Sequence, residues 1–334
     1  MKRAVFFLPV FCCLQAVAAD RLRGQAADIR ALTVSGLSSG GYMAIQVQVA
    51  HSSRVRGVAV FAAGPYYCAQ GSLWAAYYNC TTPSDLAPLP PPETLRAHAD
   101  RLARDGRIDP IVNLSAARVW FFSGGQDRTV ERPVVQAAMR FYTSFNARPY
   151  AFVGDQRAGH AIVTAQAGNA CGSSSPPFIN NCDYDAAGAL LELLVGPLKP
   201  PAVKEGGRLV SFDQKPFTAG GAYSVSLADT GYAYIPAACA TERCRVHVAF
   251  HGCRQNAGQV GERFVREAGY NRWADTNRLI VLYPQTIARY FYVYNPRGCW
   301  DWWGYTGPQY ANKAGPQIRA IKAMVDRLAA PRGR

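Results

Sequence analysis

Short apolar runs that end in turns, several followed by stretches of helical spacing, recur along the chain. ALTVSG (31–36) carries β-branched strand residues, and GGYMAIQVQVA (40–50) after it sets Met43, Val47 and Ala50 at helical intervals. RVWFF (118–122) reads as a buried strand ending in a Gly-Gly turn, and PYAFV (149–153) as another strand followed by a loop. In the last third, CRVHVAFHGC is a strand ending in a turn, GERFVREAGYNRWADTN (261–277) an amphipathic helix, LIVLYPQT a buried strand and GPQIRAIKAMVDRLA (315–329) a C-terminal helix. Between the halves, GPLKPPAVKEGGRLVSFDQKPF is a join marked by prolines and glycines. LVSFD, AYSVSLA and TGYAYIP beyond it are expected to form an antiparallel edge. Strands alternating with helices predict an α/β fold, a mostly parallel central sheet with helices on both faces, in a single domain.

The order of these elements is unusual. ALTVSGLSSGG is a strand, a tight turn and a helix start, the setting in which Gly36-Leu37-Ser38-Ser39-Gly40 becomes a nucleophile elbow rather than a chance GxSxG. Such an elbow normally follows several strands, yet only about a dozen residues separate it from the leader described below, too few for one preceding βα unit. The strands and helices of the last third, placed ahead of residue 29, supply the missing units. The chain is therefore expected to be a circularly permuted α/β-hydrolase, with residues 20–198 the elbow half and 199–334 the half that would ordinarily come first.

Composition sets the surroundings. Met1-Lys2-Arg3 followed by AVFFLPVFCCLQAVAA reads as a signal peptide over residues 1–19. The mature chain is expected to be secreted, with the periplasm as the other destination, and no later segment is long and apolar enough to anchor it in a bilayer. The formal charge of +14 becomes +12 without Lys2 and Arg3 (14 − 2 = 12), but the arginines are scattered singly, so nucleic acid is not an expected partner. Eight cysteines remain after the leader, an even set that in an exported chain implies disulfides. Closeness along the chain pairs Cys68 with Cys80, Cys171 with Cys182 and Cys239 with Cys244, leaving Cys253 with Cys299. No Cys or His spacing suits zinc, so neither metal nor cofactor is expected.

In the elbow reading Ser38 is the nucleophile, and the Ser39 amide at the helix start faces a developing oxyanion. A serine needs a base and the base an orienting acid, in the chain order Ser, Asp, His for this topology. Asp127 stands just past the RVWFF strand and His160 in the loop past PYAFV, both outside carboxyl ends of strands, where α/β sheets place their chemistry. Among the other histidines, His51 and His98 read as surface residues, His247 as a structural strand residue, and His251 as the holder of the HGC turn. Asp155 is the competing acid, set too near His160 in the same loop. The Cys253 amide in that HGC turn would supply the second oxyanion donor, pinned by a Cys253–Cys299 bridge.

GLSSGGYMA, GGQD, AGHA, FINNCDYDAAGALLELL, ADTGYAYIP, HVAFHGCRQN and CWDWWGYTG together resemble the polyhydroxybutyrate depolymerases in their circularly permuted, single-domain form, over nearly the whole mature chain. The resemblance implies an extracellular serine esterase with Ser38, Asp127 and His160 as triad, an oxyanion hole from the Ser39 and Cys253 amides, and a polyester polymer or its oligomers as substrate. Many polymer depolymerases append a separate polymer-binding domain; none is recognised here, so surface binding would fall to the catalytic domain, expected to act as a monomer. For a neutral, methyl-bearing ester chain, aromatic walls with a few donors suit, which nominates Trp302, Trp303 and Tyr305 as substrate contacts. Trp300 is expected in the core, and Tyr290, Phe291, Tyr292 and Tyr294 at the rim. The rival readings are a feruloyl- or acetyl-type carbohydrate esterase, which would ignore polyester, and a non-catalytic polymer-binding module, which would not depend on Ser38.

Overall fold

The computed structural model describes residues 20–333; the leader expected over residues 1–19 lies outside them. In chain order the strands are β1 (Asp28–Leu37), β2 (Val55–Phe61), β3 (Arg118–Phe122), β4 (Tyr150–Val153), β5 (Ile162–Thr164), β6 (Asn169–Ala170) and β7 (Ile179–Asn181) in the first half. In the second they are β8 (Arg208–Asp213), β9 (Thr230–Ile235), β10 (Arg245–Phe250) and β11 (Leu279–Tyr283). Eight of them form one sheet in the order β4-β3-β2-β1-β10-β11-β9-β8. From β4 to β11 every pairing is parallel, and β9 and β8 close the edge antiparallel.

The elbow strand β1 is thus central, with β2 on one side and β10, from the last third of the chain, on the other. This is the circular permutation expected from element order: β8 to β11 complete the sheet that the elbow half alone would leave open at β1. The last six residues of β1 and all of β11 are buried, as parallel strands covered on both faces must be.

Some local expectations fail for physical reasons. The helix after the elbow, Ser39–Ala50, is buried on every face rather than along one stripe, because it is enclosed by β1, β2, β10 and the C-terminal helix Pro316–Ala329. GERFVREAGYNRWADTN is two short helices, Arg263–Glu267 and Tyr270–Thr276, interrupted where Gly269 takes φ 88°. AYSVSLA is a single 3-10 turn, Ala222–Val225, following two left-handed glycines, and only Leu227 bridges to the sheet region, at Thr286. His51 and His98, expected at the surface, are only partly exposed. Both are half-buried, and His98 stacks on Tyr67 at 3.6 Å. A small sheet, β5-β7-β6, had no counterpart in the periodicity because its strands are only two or three residues long.

His247 is structural, as expected: its two ring nitrogens lie 2.8 Å from Thr33 Oγ1 and Ser35 Oγ, between β10 and β1. Burial pushes its imidazole down to about 3 and that of His251, also fully buried, to about 4. A histidine of the unfolded chain titrates near 6.5, so as pH falls the unfolded state binds these protons first. The stability held by the neutral buried forms is complete above about pH 6.5 and is lost toward pH 4, by about 3 kcal/mol per residue. Urea unfolding is therefore expected to show a much lower midpoint at pH 4.5 than at pH 7.5; equal midpoints would contradict the neutral assignment.

Candidate active site

Ser38 occupies the turn between β1 and the Ser39–Ala50 helix with φ 55° and ψ −121°, a conformation that non-glycine residues rarely hold. Two glycines make that turn tight enough. A Cβ on Gly36 would sit 2.2 Å from the Gly40 oxygen, and one on Gly40 would sit 2.4 Å from the His251 oxygen and 2.5 Å from that of Phe250. The helix start therefore rests directly on the carboxyl end of β10, backbone against backbone.

A series of main-chain hydrogen bonds runs from this turn across the carboxyl ends of the sheet. Ser38 N–H donates to Phe61 O at the end of β2, Ala62 N–H to Phe122 O at the end of β3, and Ser123 N–H to Val153 O at the end of β4. Beyond β3 and β4, Gly125 N–H donates to Gln156 O and Gln126 N–H to Ala158 O, joining the GGQD turn to the AGHA loop. Those two loops bring Asp127 and His160 together, with His160 Nδ1 2.8 Å from Asp127 Oδ2 and both side chains buried. The other Asp127 oxygen accepts from the amides of Thr129 and Val130, at 2.8 and 3.0 Å, so the carboxylate is held from both sides. The His160 amide is anchored on Ser174 Oγ. No hydrogen bond joins Ser38 Oγ to His160 among the described residues; such contacts commonly tighten only with substrate bound. Asp155 is exposed and takes no part in this pairing.

On the opposite side of Ser38, the HGC turn is fixed by buried partners. His251 Nε2 accepts from the Thr286 amide at 3.1 Å, which leaves Nδ1–H to donate to Gly252 O at 2.7 Å. The Gly252 amide donates to Gln255 Oε1, whose own Nε2 bonds the Pro177 and Phe178 carbonyls. The Ser39 and Cys253 amides, in contrast, have no acceptor among the described residues. The four expected disulfides are formed, Cys68–Cys80, Cys171–Cys182, Cys239–Cys244 and Cys253–Cys299. The last ties the HGC turn to the tryptophan loop, and Trp300 N–H donates to Ser39 Oγ at 3.3 Å, tying that loop back to the elbow.

The aromatic residues of the tryptophan loop are largely buried. Trp300 is in the core, but Trp302 and Trp303 are each only 9% exposed, and Trp302 stacks on Tyr42 of the elbow helix at 4.1 Å. The Tyr305 hydroxyl donates to Cys299 O and accepts from Gln317 and Asn295 amide groups, so its polar end is committed to holding the loop. The loop is built on Asp301, which accepts from the amides of Gly304, Tyr305 and Thr306 and from the Thr306 hydroxyl. Burial pushes this carboxyl up despite those four donors. Gln255, Thr286 and Asp301 were missed because single polar residues that turn inward leave no periodic signal. Gln255 was nevertheless legible in part, two residues past the HGC turn.

Among the described residues no group of three or more His, Cys, Asp or Glu could hold a metal ion, and no helix is long and apolar enough to cross a membrane. An apolar cavity lined by Ile29, Leu32, Val47, Val55 and Val325 lies near the amino end of β1, away from these loops.

Fold and elbow together define a circularly permuted α/β-hydrolase carrying a serine at its elbow. Residues 230–332 match the family described as Esterase PHB depolymerase. The chain is 43% identical to a poly(3-hydroxybutyrate) depolymerase of Delftia acidovorans over 90% of its own length, and it spans about 60% of that relative. It is 36% identical to a polyhydroxybutyrate depolymerase of Talaromyces funiculosus, covering 93% of each chain. Among solved structures it resembles a PHB depolymerase from Penicillium funiculosum, with a TM-score of 0.84, 34% identity and coverage of 92% of this chain and 98% of that one. A PHB depolymerase with a serine-to-alanine substitution, complexed with an R3HB trimer, matches equally. The chain belongs to the PHB depolymerase family.

The backbone contact at Gly40 yields a direct check. Gly40→Ala forces a methyl group into two carbonyl oxygens, and overpacking of this kind costs about 3 kcal/mol or more where backbone cannot move. A fall in the urea midpoint is expected, whereas Gly106→Ala, at an exposed turn with nothing within 4 Å, should cost less through its left-handed φ alone. Equal midpoints for the two variants would mean the elbow does not rest on β10 as described.

Proposed function

We propose that this chain is a secreted serine esterase that hydrolyses the ester bonds of poly(3-hydroxybutyrate), or of related short-chain polyhydroxyalkanoates and their oligomers, through an acyl-enzyme on Ser38. The observation that carries the reading is the buried His160–Asp127 pair, held on the same sheet ends as a strained elbow serine whose two neighbouring amides are unpaired. Family membership and the names of the relatives supply the substrate class.

In this reading His160 takes the Ser38 proton as the hydroxyl attacks an ester carbonyl, using the nitrogen that Asp127 does not hold. Asp127 fixes the ring and stabilises the imidazolium. The Ser39 and Cys253 amides receive the tetrahedral oxyanion; each such donor is typically worth about 10²- to 10³-fold in rate. His160 then gives its proton to the leaving alkoxide, and water attacks the acyl-Ser38 by the same route, with no cofactor taking part. Because His251 is already neutral with both nitrogens engaged, it is a positioning residue for the Cys253 amide. Tyr290, Phe291, Tyr292 and Tyr294, 63 to 100% exposed, provide apolar surface for contact with solid polymer. Four disulfides suit an oxidising compartment outside the cytoplasm.

Purified protein is expected to clear a suspension of poly(3-hydroxybutyrate) granules and to cleave a short-chain chromogenic ester, and Ser38→Ala to lower both rates by about 10⁴-fold or more. Ester cleavage without clearing would remove the polymer assignment and favour soluble oligomers or plant-type esters. Unimpaired clearing by the Ser38→Ala protein would sink the mechanism.

A further inference from the structure

The residues flanking the site carry a charge pattern that hydrolysis of a neutral ester does not need. Arg128 follows Asp127, Arg157 comes three residues before His160, Arg254 follows Cys253, and Arg297 comes two residues before Cys299. All four are exposed. Some surface arginines, such as Arg30, Arg263, Arg266 and Arg278, are matched to carboxylates; Arg128, Arg157, Arg254 and Arg297, like Arg56, Arg140 and Arg208, have no ion-pair or hydrogen-bond partner for the guanidinium among the described residues, and what sets them apart is their place on the loops that carry the site. They form two pairs on the two sides of Ser38. Arg254 N–H donates to Arg297 O at 2.8 Å, placing this pair on the disulfide-linked loops of the oxyanion side. Arg128 and Arg157 stand on the GGQD and AGHA loops, which are joined by the Gly125 and Gln126 amide bonds. Of the acids near them along the chain, Asp127 is held by His160, and Glu131 and Asp155 make no salt bridge among the described residues.

The interior of a polyester chain has no charge for such groups to meet. One end of every chain and of every oligomer released from it does, because ester hydrolysis leaves a carboxylate. Resting on the function proposed above, we infer that the mouth of this site binds the terminal carboxylate of 3-hydroxyalkanoate oligomers, through Arg254 and Arg297 on one side and Arg128 and Arg157 on the other. The enzyme is then tuned toward chain ends and short anionic oligomers as well as toward polymer. Unpaired guanidinium groups at a cleft raise the encounter rate with an anion, and added salt removes the gain over a Debye length of about 10 Å. The net charge of +14 would give some salt dependence wherever the charges lay, so the test must separate the mouth from the rest of the surface.

The test compares kcat/KM for the 3-hydroxybutyrate trimer as free acid and as methyl ester, at low salt and at about 0.3 M salt, where the Debye length falls to roughly 6 Å and long-range steering is largely screened. Wild type is set beside Arg254→Gln/Arg297→Gln and Arg128→Gln/Arg157→Gln. The charge control is Arg56→Gln/Arg208→Gln, at the amino ends of β2 and β8, on the opposite edge of the sheet from the site. The expected result is a several-fold preference for the acid at low salt that shrinks at high salt and in both mouth variants and persists in the control. An acid-to-ester ratio that ignores salt, or that falls as far in the control as in the mouth variants, overturns the inference while leaving the esterase reading intact. Failure of wild type to cleave the methyl ester at all would remove the proposed function and this inference with it.

Discussion

The proposed oxyanion hole depends on a backbone-to-backbone contact, the start of the elbow helix seated on the end of β10 at Gly40. Side chains there would hold the two elements apart by the width of a methyl group or more. Without them the Ser39 amide, from the first half of the sequence, and the HGC turn that carries the Cys253 amide, from the last third, come together at the elbow. The circular permutation makes this contact long-range in sequence although β1 and β10 are adjacent strands. A junction between distant parts of the chain cannot rely on local turn geometry, so it is reinforced by partners whose polar groups are saturated.

Those reinforcements share one design. His251 is buried and neutral, and its two nitrogens are used on Thr286 and Gly252. Gln255 satisfies the Gly252 amide and two carbonyls of the strap before β7. Asp301 spends its carboxylate on four donors of its own loop, and that loop returns to the elbow through Trp300 N–H and Ser39 Oγ. A buried polar group left unpaired costs more than its hydrogen bond returns, so each saturated group resists displacement. The two amides at the site and the four arginines around it, in contrast, have no partner among the described residues.

The sheet, its parallel core and the permutation were legible because parallel strands buried on both faces write continuous apolar runs, and GxSxG marks where one of them ends. Cys253 and Cys299 could be paired because the other six cysteines lie in near neighbours. Asp127 and His160 stood just past strand ends, where position alone nominates them. The packing of the Trp302–Tyr305 region was not legible because tryptophans in a glycine-rich loop look available, while the stacking of Trp302 on Tyr42 depends on a helix some 250 positions away. The GERFV helix failed for a simpler reason: amphipathic spacing continued across Gly269, whose left-handed φ breaks the helix without disturbing the pattern. Long-range packing and single-residue backbone geometry are what periodicity cannot record.

The central claim is that Ser38 is the nucleophile and that the Ser39 and Cys253 amides receive the oxyanion. A phosphonate ester that phosphonylates activated serines tests it most directly, since the trapped adduct imitates the tetrahedral intermediate. Peptide mass mapping followed by a crystal structure of the adduct should place phosphorus on Ser38 Oγ and its unesterified oxygen within 3.1 Å of both amides, as an oxyanion hole requires. Modification of Ser39 or another serine, or an adduct oxygen that reaches neither amide, would contradict the account.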